Sequence, residues 1–234
     1  MKLRLFFFVV ALSIVIGCDA KSGINTLSKK EKKAGWELLF NGENLDGWKI
    51  FQGGEVKGWK VIDGILHNSG VGSDHGGDII TTKQFADFEL YLEWQIAPKS
   101  NSGIFIRVQE GDTKKIYETG PEYQLLDDKG WPTKLDDSQY SGANYAMHTP
   151  VGAVVKPLDQ WNTTRIIVNG KKVQHFLNGV KVVEYELGSD DWKERKSNCK
   201  WKDKPLYGIA EKGHIGLQDH GGLTKFRNVK IREL

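Results

Sequence analysis

Apolar and polar residues alternate along most of this chain, a pattern of period two that is typical of half-buried β-strands. The longest alternating run is Phe88–Ile96, in which every second residue is apolar and the residues between are polar or amphipathic. Residues 165–168, 173–176 and 180–185 are separated by two Asn-Gly pairs, which favour the tight turns of hairpins and predict a three-stranded meander. No segment shows a long helical periodicity, so the pattern predicts an all-β protein.

Shorter alternating runs occupy much of the remaining sequence, and glycines separate them at the expected turns. We predict further strands at residues 36–40, 45–50, 59–62, 65–67, 78–82, 102–108, 122–128, 214–221 and 224–231. Residues 68–77 and 129–157 are predicted loops, and the second is long enough to indicate a functional role. Residues 188–207 predict a short helix or a rim loop. Many short antiparallel strands with Gly-rich turns predict a β-sandwich of the jelly-roll kind.

The first 18 residues differ from the rest and predict a targeting segment. Lys2 and Arg4 precede an apolar run over residues 5–16, shorter than the roughly 20 residues of a membrane-spanning helix. Residues 15–18, Val-Ile-Gly-Cys, resemble the lipobox of bacterial lipoproteins, in which the cysteine, here Cys18, becomes the lipidated first residue. A plain secretory signal is the alternative. In either case we expect export, and with lipid on Cys18 we expect anchoring in the bacterial cell envelope, in the periplasm or at the outer membrane.

Composition and charge indicate the domain organisation and exclude some classes of partner. Residues 19–33 are polar and predict a tether without fixed structure, which leaves residues 34–234 as one domain. A net charge of +3 from interspersed acids and bases gives no basic patch, so we expect no nucleic-acid partner. If Cys18 carries lipid, the second cysteine, Cys199, has no disulfide partner.

Two neighbouring runs place reactive side chains on one predicted sheet face. Alternation puts Phe105 and Arg107 on one side of the upstream strand, and Glu122, Gln124 and Asp128 on one side of the downstream strand. If both strands turn their apolar sides to a common core, these side chains share an open surface. A cation, a ring, an amide and carboxylates suit a sugar-binding site, although an ordinary solvated face with a surface ion pair fits the same pattern.

A second face and the long loop add candidates. His214, Gly216, Gln218 and His220 alternate with apolar residues, and Gly216 leaves room above the sheet for a close approach. We expect His214 to be structural and His220, at the strand end, to be the functional histidine. In the loop, His148 is predicted to lean over the same surface, and Trp131 and Tyr145 supply rings for substrate binding. The sequence has no phosphate loop, nucleophile elbow, nucleotide fingerprint or Cys-rich metal spacing, so it identifies no cofactor or metal ligands.

Several short motifs follow one another in a specific order. They are Trp-Glu-Leu-Leu-Phe-Asn-Gly at 36–42, Leu-Asp-Gly-Trp at 45–48, Asn-Ser-Gly-Ile-Phe-Ile-Arg at 101–107, Gly-Pro-Glu-Tyr-Gln-Leu-Leu-Asp at 120–127 and Gly-Leu-Gln-Asp-His-Gly at 216–221. Their order and spacing, over nearly all of residues 35–234, strongly resemble the 3-keto-disaccharide hydrolase family. The resemblance implies a concanavalin-like jelly roll and activity on glycosides whose sugar is oxidised to a ketone at C3. It does not fix the sugar, the linkage or the aglycone.

Such a substrate suggests a mechanism. A C3 ketone acidifies the proton on C2, so a base can remove it, the C1 oxygen can leave by β-elimination, and water can then add. The site needs a base, a group at the enolate oxygen and an acid for the leaving group. We assign Glu122 or His148 as the base, Arg107 with Gln124 or Gln218 at the enolate oxygen, and His220 at the leaving group. A divalent cation held by a carboxylate and a histidine is an alternative to Arg107.

Two other functions fit the same residues. Glu122 with Asp127 or Asp128 could perform ordinary two-carboxylate glycoside hydrolysis, although Asp127 is predicted on the opposite sheet face. A lectin-like carbohydrate-binding module is the non-enzymatic alternative, because jelly rolls often bind sugar without cleaving it. The cluster of titratable groups favours the enzyme. The expected partners are an oligosaccharide or glycoside substrate and, through the lipid anchor only, a membrane, and the sequence leaves the oligomeric state open.

Overall fold

The computed structural model describes residues 23–68, 77–152 and 154–234. Its elements are α1 (Lys29–Lys33), β1 (Glu37–Leu38), β2 (Trp48–Ile50), β3 (Trp59–Ile62), β4 (Ile65–Asn68), β5 (Ile79–Thr81), β6 (Phe88–Ile96), β7 (Asn101–Val108), β8 (Glu122–Leu126), β9 (Asn162–Asn169), β10 (Lys172–Leu177), β11 (Val180–Glu186), α2 (Asp190–Ser197), β12 (His214–Leu217) and β13 (Thr224–Glu233), with short 3-10 helices at Ile116–Glu118 and Asp137–Gln139. The predicted targeting segment with Cys18 lies outside the described residues. Within them, no helix is long and apolar enough to cross a membrane.

Two antiparallel sheets face each other and enclose the core. In the described chain, sheet A has eight strands in the order β11-β10-β9-β6-β13-β4-β3, with β1 paired to β13, and sheet B has five in the order β2-β5-β12-β7-β8. Strand alternation explains the packing, because the apolar residues of β6, from Phe88 to Ile96, are buried in the core. This architecture confirms the predicted all-β, concanavalin-like jelly-roll sandwich of antiparallel strands.

The meander, the short helix and the long loop agree with the sequence predictions. β9, β10 and β11 form the predicted meander, and α2 is the short helix expected in residues 188–207. In its described residues, the long loop after β8 contains one 3-10 helix, and part of the loop runs along the free edge of β8. There Gly142 N donates to Gln124 O at 2.9 Å and Tyr145 N donates to Glu122 O at 3.0 Å. The loop thus covers a strand edge that would otherwise be open.

The predicted tether is structured from Gly23 onward. Ser28 and Glu31 form a capping box at α1, and the Glu31 carboxylate pairs with Lys230 of β13. Asn25 exchanges two hydrogen bonds with Asn228, at 2.6 and 2.8 Å. The prediction that residues up to 33 lack fixed structure is therefore wrong for residues 23–33. These contacts join segments about two hundred positions apart, so a polar local sequence gives no sign of them.

Candidate active site

Side chains of sheet B point alternately into the core and away from it, and those that point away form the outer face of the sheet. Its first row of cross-strand neighbours consists of Lys49, Ile80, Gly216, Phe105 and Glu122. A second row holds Gln218, Gly103 and Gln124, and Gln218 N donates to Gly103 O at 3.0 Å. One half of the face is apolar, with a buried cluster of Phe51, Ile80, Phe105, Val108 and Ile116. The other half is polar and forms the candidate site.

Ile116 occupies the space above Gly216. A Cβ atom added to Gly216 would lie 2.4 Å from Cδ1 of Ile116, in the 3-10 helix that covers the apolar half. The prediction of a close approach at this glycine is thus correct, but the approaching group is a side chain of the protein rather than a ligand.

Glu122 lies at the centre of the polar half. Its carboxylate sits directly over Gly103 of the neighbouring strand, where an added Cβ would approach Oε1 to 2.3 Å. Gly103 therefore provides the room in which this carboxylate lies. The residue is only 5% exposed, and burial raises the pKa of Glu122 well above its usual range. The positive charge of Lys200 opposes this rise, and the carboxylate of Asp78 adds to it.

Lys200 is the cation that faces Glu122. Its Nζ lies 4.2 Å from the ring centre of Tyr145, 4.5 Å from that of Trp201 and 6.0 Å from that of Tyr117. These three rings hold the ammonium group at the rim of the site through cation–π attraction. Partial desolvation lowers the pKa of Lys200, and the Glu122 charge opposes this shift. Each group of the pair is thereby brought nearer to its neutral form.

A second carboxylate enters the site from β5. Asp78 immediately precedes that strand, and its Oδ1 accepts a hydrogen bond from Asp219 N at 3.0 Å. Burial raises the pKa of Asp78 to about 6, and the neighbouring Asp219 carboxylate contributes to the rise, whereas the Asp219 N–H and Lys115 act against it. Asp78 therefore retains a proton up to a higher pH than an ordinary aspartate does.

Three buried amide oxygens in this region have no hydrogen-bond donor among the described residues. They are Asn101 Oδ1, Gln124 Oε1 and Gln218 Oε1. Leaving a buried acceptor unpaired costs about 1–3 kcal/mol, so each of these oxygens favours a ligand that donates a hydrogen bond. Gln124 and Gln218 lie on opposite sides of Gly103, the residue over which the Glu122 carboxylate lies.

His220 follows β12 on the side of the site where Lys200 lies. It is exposed at the rim, and partial burial of the ring together with the Lys200 charge lowers its pKa. His214, by contrast, is buried with its Nδ1 2.6 Å from Thr81 O and its Nε2 3.0 Å from Gln84. His214 is therefore structural, as expected, whereas His220 is exposed, and its functional role stays a prediction.

Arg107 does not share the surface of Glu122, so that prediction is wrong. The register of β7 against β12 shifts between His214 and Gly216, and Arg107 has a φ of 50°. This β-bulge turns the Arg107 side chain away from the site. Its Nη2 instead donates to Ala86 O at 2.9 Å and to Gly170 O at 2.7 Å, and also pairs with Asp87 at 3.1 Å. Arg107 thereby connects sheet B to the β9–β10 turn of sheet A.

His148 is also separate from Glu122, contrary to its predicted position. Its Nδ1 lies 2.9 Å from Asn144 Nδ2 and its Nε2 lies 3.1 Å from Asp191 Oδ2. The ring stacks on Tyr185 at 4.8 Å and begins a ladder that continues through Trp192, Tyr207 and Trp201. Both ring nitrogens of His148 thus make polar contacts with other side chains of the protein. His175 is buried beside this ladder, in contact with Tyr185.

The remaining candidates, Asp127, Asp128 and Trp131, make hydrogen bonds in and near the turn after β8. Asp127 accepts from Lys99 N at 2.8 Å and from Gly130 N at 2.9 Å, which stabilises the turn after β8. Asp128 accepts from Ser141 N at 2.9 Å and from its hydroxyl at 3.0 Å. Neither aspartate therefore forms a catalytic pair with Glu122. Trp131, also in this turn, donates its backbone N–H to Asp127 O at 3.0 Å and is partly exposed.

The structure therefore gathers Glu122, Gln124, Gln218, His220 and Tyr145 around one surface, and it adds two residues that sequence reasoning missed. Asp78 could have been found, because it continues the alternation of β5 onto the face of Ile80. Lys200 could not, since it lies in an irregular charged segment without strand parity. Among the described residues, no group of three or more His, Cys, Asp or Glu side chains is arranged to hold a metal ion.

Comparison with known proteins places this chain among carbohydrate-active relatives. Residues 35–232 match the family model of the 3-keto-alpha-glucoside-1,2-lyase-like domain. A 3-keto-disaccharide hydrolase from Bacteroides thetaiotaomicron is 33% identical over 228 residues, which cover 86% of this chain and 79% of the relative.

Two crystal structures of candidate glycosyl hydrolases from Parabacteroides distasonis share the fold. One is 42% identical with a TM-score of 0.85, and the match covers 91% of this chain and 100% of that one. The other is 30% identical with a TM-score of 0.68, covering 85% and 99% respectively.

Proposed function

Because the chain belongs to the family of 3-keto-alpha-glucoside-1,2-lyase-like domains, we propose that it cleaves glycosides whose sugar carries a ketone at C3. The relative from Bacteroides thetaiotaomicron bears the name of such an activity. The observation that carries the proposal for this chain is the buried carboxylate of Glu122, which lies over Gly103 opposite the ammonium group of Lys200. A base and a cation on the same surface are what proton abstraction beside a carbonyl requires.

The reaction proceeds in two stages. A base removes the C2 proton, the C2–H electron pair forms the enolate with the C3 carbonyl, and the enolate then expels the oxygen on C1. Protonation of that oxygen releases the aglycone or second sugar. Addition of water across the resulting C1–C2 double bond places a hydroxyl on C1 and a proton on C2, so the net reaction is hydrolysis.

Glu122 serves as the base in this proposal. A carboxylate with a raised pKa is a stronger base than an ordinary glutamate, and its burial excludes competing water. His148 is not assigned this role, because both of its ring nitrogens contact other side chains.

Lys200 takes the place that Arg107 held in the sequence prediction. Its ammonium group stabilises the negative oxygen of the enolate, and the surrounding rings hold it in position. Gln124 and Gln218 orient the sugar hydroxyls through their unpaired oxygens. Tyr145, partly exposed at the rim, offers a ring against which a sugar can pack.

The proton for the leaving group comes from Glu122, which holds the C2 proton after abstraction, rather than from His220. Asp78 supports this transfer, because its nearby carboxylate contributes to the raised pKa of Glu122. The pKa of His220 is lowered, so its ring is mostly neutral near neutral pH and a poor proton donor. His220 then contributes a hydrogen bond at the rim.

Isotope incorporation tests the proposal against both alternatives. The protein is mixed in deuterium oxide with a 3-keto-disaccharide and, separately, with the unoxidised parent sugar. We expect cleavage of the keto sugar with deuterium at C2 of the product and no comparable cleavage of the parent. Equal turnover of the parent without deuterium at C2 would support two-carboxylate hydrolysis, and binding of both sugars without cleavage would support a carbohydrate-binding module.

A further inference from the structure

A short N-terminal arm, residues 23–36, is fixed to the outer face of sheet A. Asn25 is buried and donates its Nδ2 to Gly64 O at 2.6 Å, in the β3–β4 turn, in addition to its paired bonds with Asn228. Trp36 lies beneath the cations of Lys230 and Arg232, at 5.7 and 5.5 Å from its ring centre. The arm is thus held by partly buried hydrogen bonds, an ion pair and ring contacts.

The arm also exposes a group of positive charges without local compensation. Lys29, Lys30, Lys32 and Lys33 are all exposed, and among the described residues no carboxylate oxygen lies within 4 Å of their ammonium groups. The one acid of this helix, Glu31, pairs with Lys230 instead. Four unpaired lysines on one short segment form a surface that attracts a negatively charged partner.

The arm and the candidate active site lie on opposite sides of the sandwich. Tyr91, Lys230 and Arg232 project from the outer face of sheet A, whereas Glu122 and Gln218 belong to the outer face of sheet B. The two sheets and the core between them separate the two surfaces, and facing sheets pack about 10 Å apart before side chains and loops are counted.

The sequence sets a short distance between the arm and the proposed anchor. Cys18 precedes Gly23 by five positions, which even a fully extended chain spans with about 18 Å at most. A lipid on Cys18 would therefore keep the arm, and with it the outer face of sheet A, close to the membrane.

We propose that the lysines of the arm rest on anionic phospholipid headgroups, so that the outer face of sheet A lies against the membrane and the active site opens away from it. The proposal rests on lipidation of Cys18 and is independent of the reaction catalysed. A lipid anchor and a basic patch are two weak signals that together give stable membrane binding, since lysines near an anionic surface are attracted to it. Turning the site outward leaves it accessible to soluble glycosides.

Fluorescence quenching on vesicles tests this orientation. The lipidated full chain is placed on vesicles that contain phosphatidylglycerol and a quencher attached to lipid headgroups. One dye is attached to the natural Cys199, which is adjacent to Lys200. In a second sample the dye is attached through Lys60→Cys, with Cys199→Ser, on the exposed part of β3 in sheet A. We expect stronger quenching at position 60 than at position 199.

Removing the positive charges of the arm distinguishes this orientation from a flexible tether that holds the protein in no preferred orientation. Lys29, Lys30, Lys32 and Lys33 are replaced together by Gln, and a matched control replaces four other exposed lysines, Lys114, Lys129, Lys134 and Lys212. The ratio of quenching at the two positions should fall toward one in the arm variant, in neutral phosphatidylcholine vesicles and in high salt, but not in the control. Should the arm variant not fold, the lipid and salt comparisons with the unchanged chain give the same test.

Three results would overturn the proposal. The first is equal or stronger quenching at Cys199 in the unchanged chain on phosphatidylglycerol vesicles. The second is a quenching ratio that responds neither to the arm substitutions nor to the lipid charge. The third is the absence of a lipid mass on Cys18 in protein taken from membranes, which would remove the anchor while leaving the proposed catalytic activity untouched.

Discussion

At the scale of single residues, the site depends on two opposite charges, the buried carboxylate of Glu122 and the ammonium group of Lys200 at the rim. The carboxylate is buried beneath neighbouring groups, and the ammonium group is held against three aromatic rings. Desolvation disfavours the charged form of each, while their mutual attraction favours it. Proton affinity at this site is thus set by both residues together, and changing either one alters the other.

Glu122→Gln should reduce turnover of a 3-keto-disaccharide by about two to four powers of ten, because an amide cannot accept the C2 proton. Steady-state assay of product formation measures the loss. Glu89→Gln is the matched control: Glu89 is equally buried at 5% exposure, but it lies on the outer face of sheet A. A fully active Glu122→Gln protein would remove Glu122 from the mechanism.

The same substitution should change how stability depends on pH. Because the pKa of Glu122 is raised in the folded state above its ordinary value of 4.5, the native protein holds this proton more tightly than the unfolded chain does. The associated stability is complete below about pH 4.5 and is lost as pH rises through the folded-state pKa. Urea unfolding at several pH values should show Glu122→Gln gaining stability relative to the unchanged protein as pH increases. A constant difference across that range would contradict the assigned shift.

Lys200 should set the alkaline limit of activity. Its pKa lies below the ordinary 10.5, so the ammonium group at the enolate oxygen is lost at a lower pH than for an exposed lysine. We expect kcat/KM to rise as Glu122 loses its proton and to fall as Lys200 loses its own. In Lys200→Arg the charge persists to higher pH, so the falling limb should move upward, even if the wider guanidinium group lowers the maximum. A falling limb at the same pH in the Arg variant would assign it to another group.

At the scale of secondary-structure elements, most of the correct sequence predictions follow from the alternation of apolar and polar residues along the strands. The strands of the meander and the apolar side of β6 follow from period two, as do the positions of Glu122, Gln124 and Gln218 on one face. The failure at Arg107 has a specific cause, since one extra residue in β7 reverses the parity of everything after it. Nothing in the local sequence marks that bulge, because Arg107 adopts its positive φ to make bonds with distant residues.

Arg107→Met should therefore destabilise the protein without impairing its chemistry. The substitution leaves the carbonyls of Ala86 and Gly170 without their donor and removes a nearly buried cation from Asp87. We expect a loss of about 2–3 kcal/mol in the free energy of unfolding. Turnover per folded molecule, measured well below the melting temperature, should remain near that of the unchanged protein. A large fall in kcat with normal stability would return Arg107 to the active site.

At the scale of the whole molecule, the two sheets have separate tasks. Sheet B carries the candidate active site on its outer face, whereas sheet A receives the N-terminal arm on its own outer face. Sequence analysis predicts an anchor motif and candidate site residues but could not relate their positions. Their relation depends on which strands lie back to back, and this is fixed by long-range pairing such as that of Asn25 with Asn228.

This arrangement predicts that the anchor and the activity can be separated. Cys18→Ser removes the sulfur that would carry lipid, so the protein should move from the membrane to the soluble fraction of the cell envelope, as shown by fractionation and immunoblotting. Because the arm binds the side of the sandwich opposite Glu122, turnover of a soluble 3-keto-disaccharide by the released protein should equal that of the anchored form. Unchanged membrane association of Cys18→Ser would refute the lipid anchor. Release accompanied by a large loss of turnover would show that the arm and the site are coupled across the sandwich.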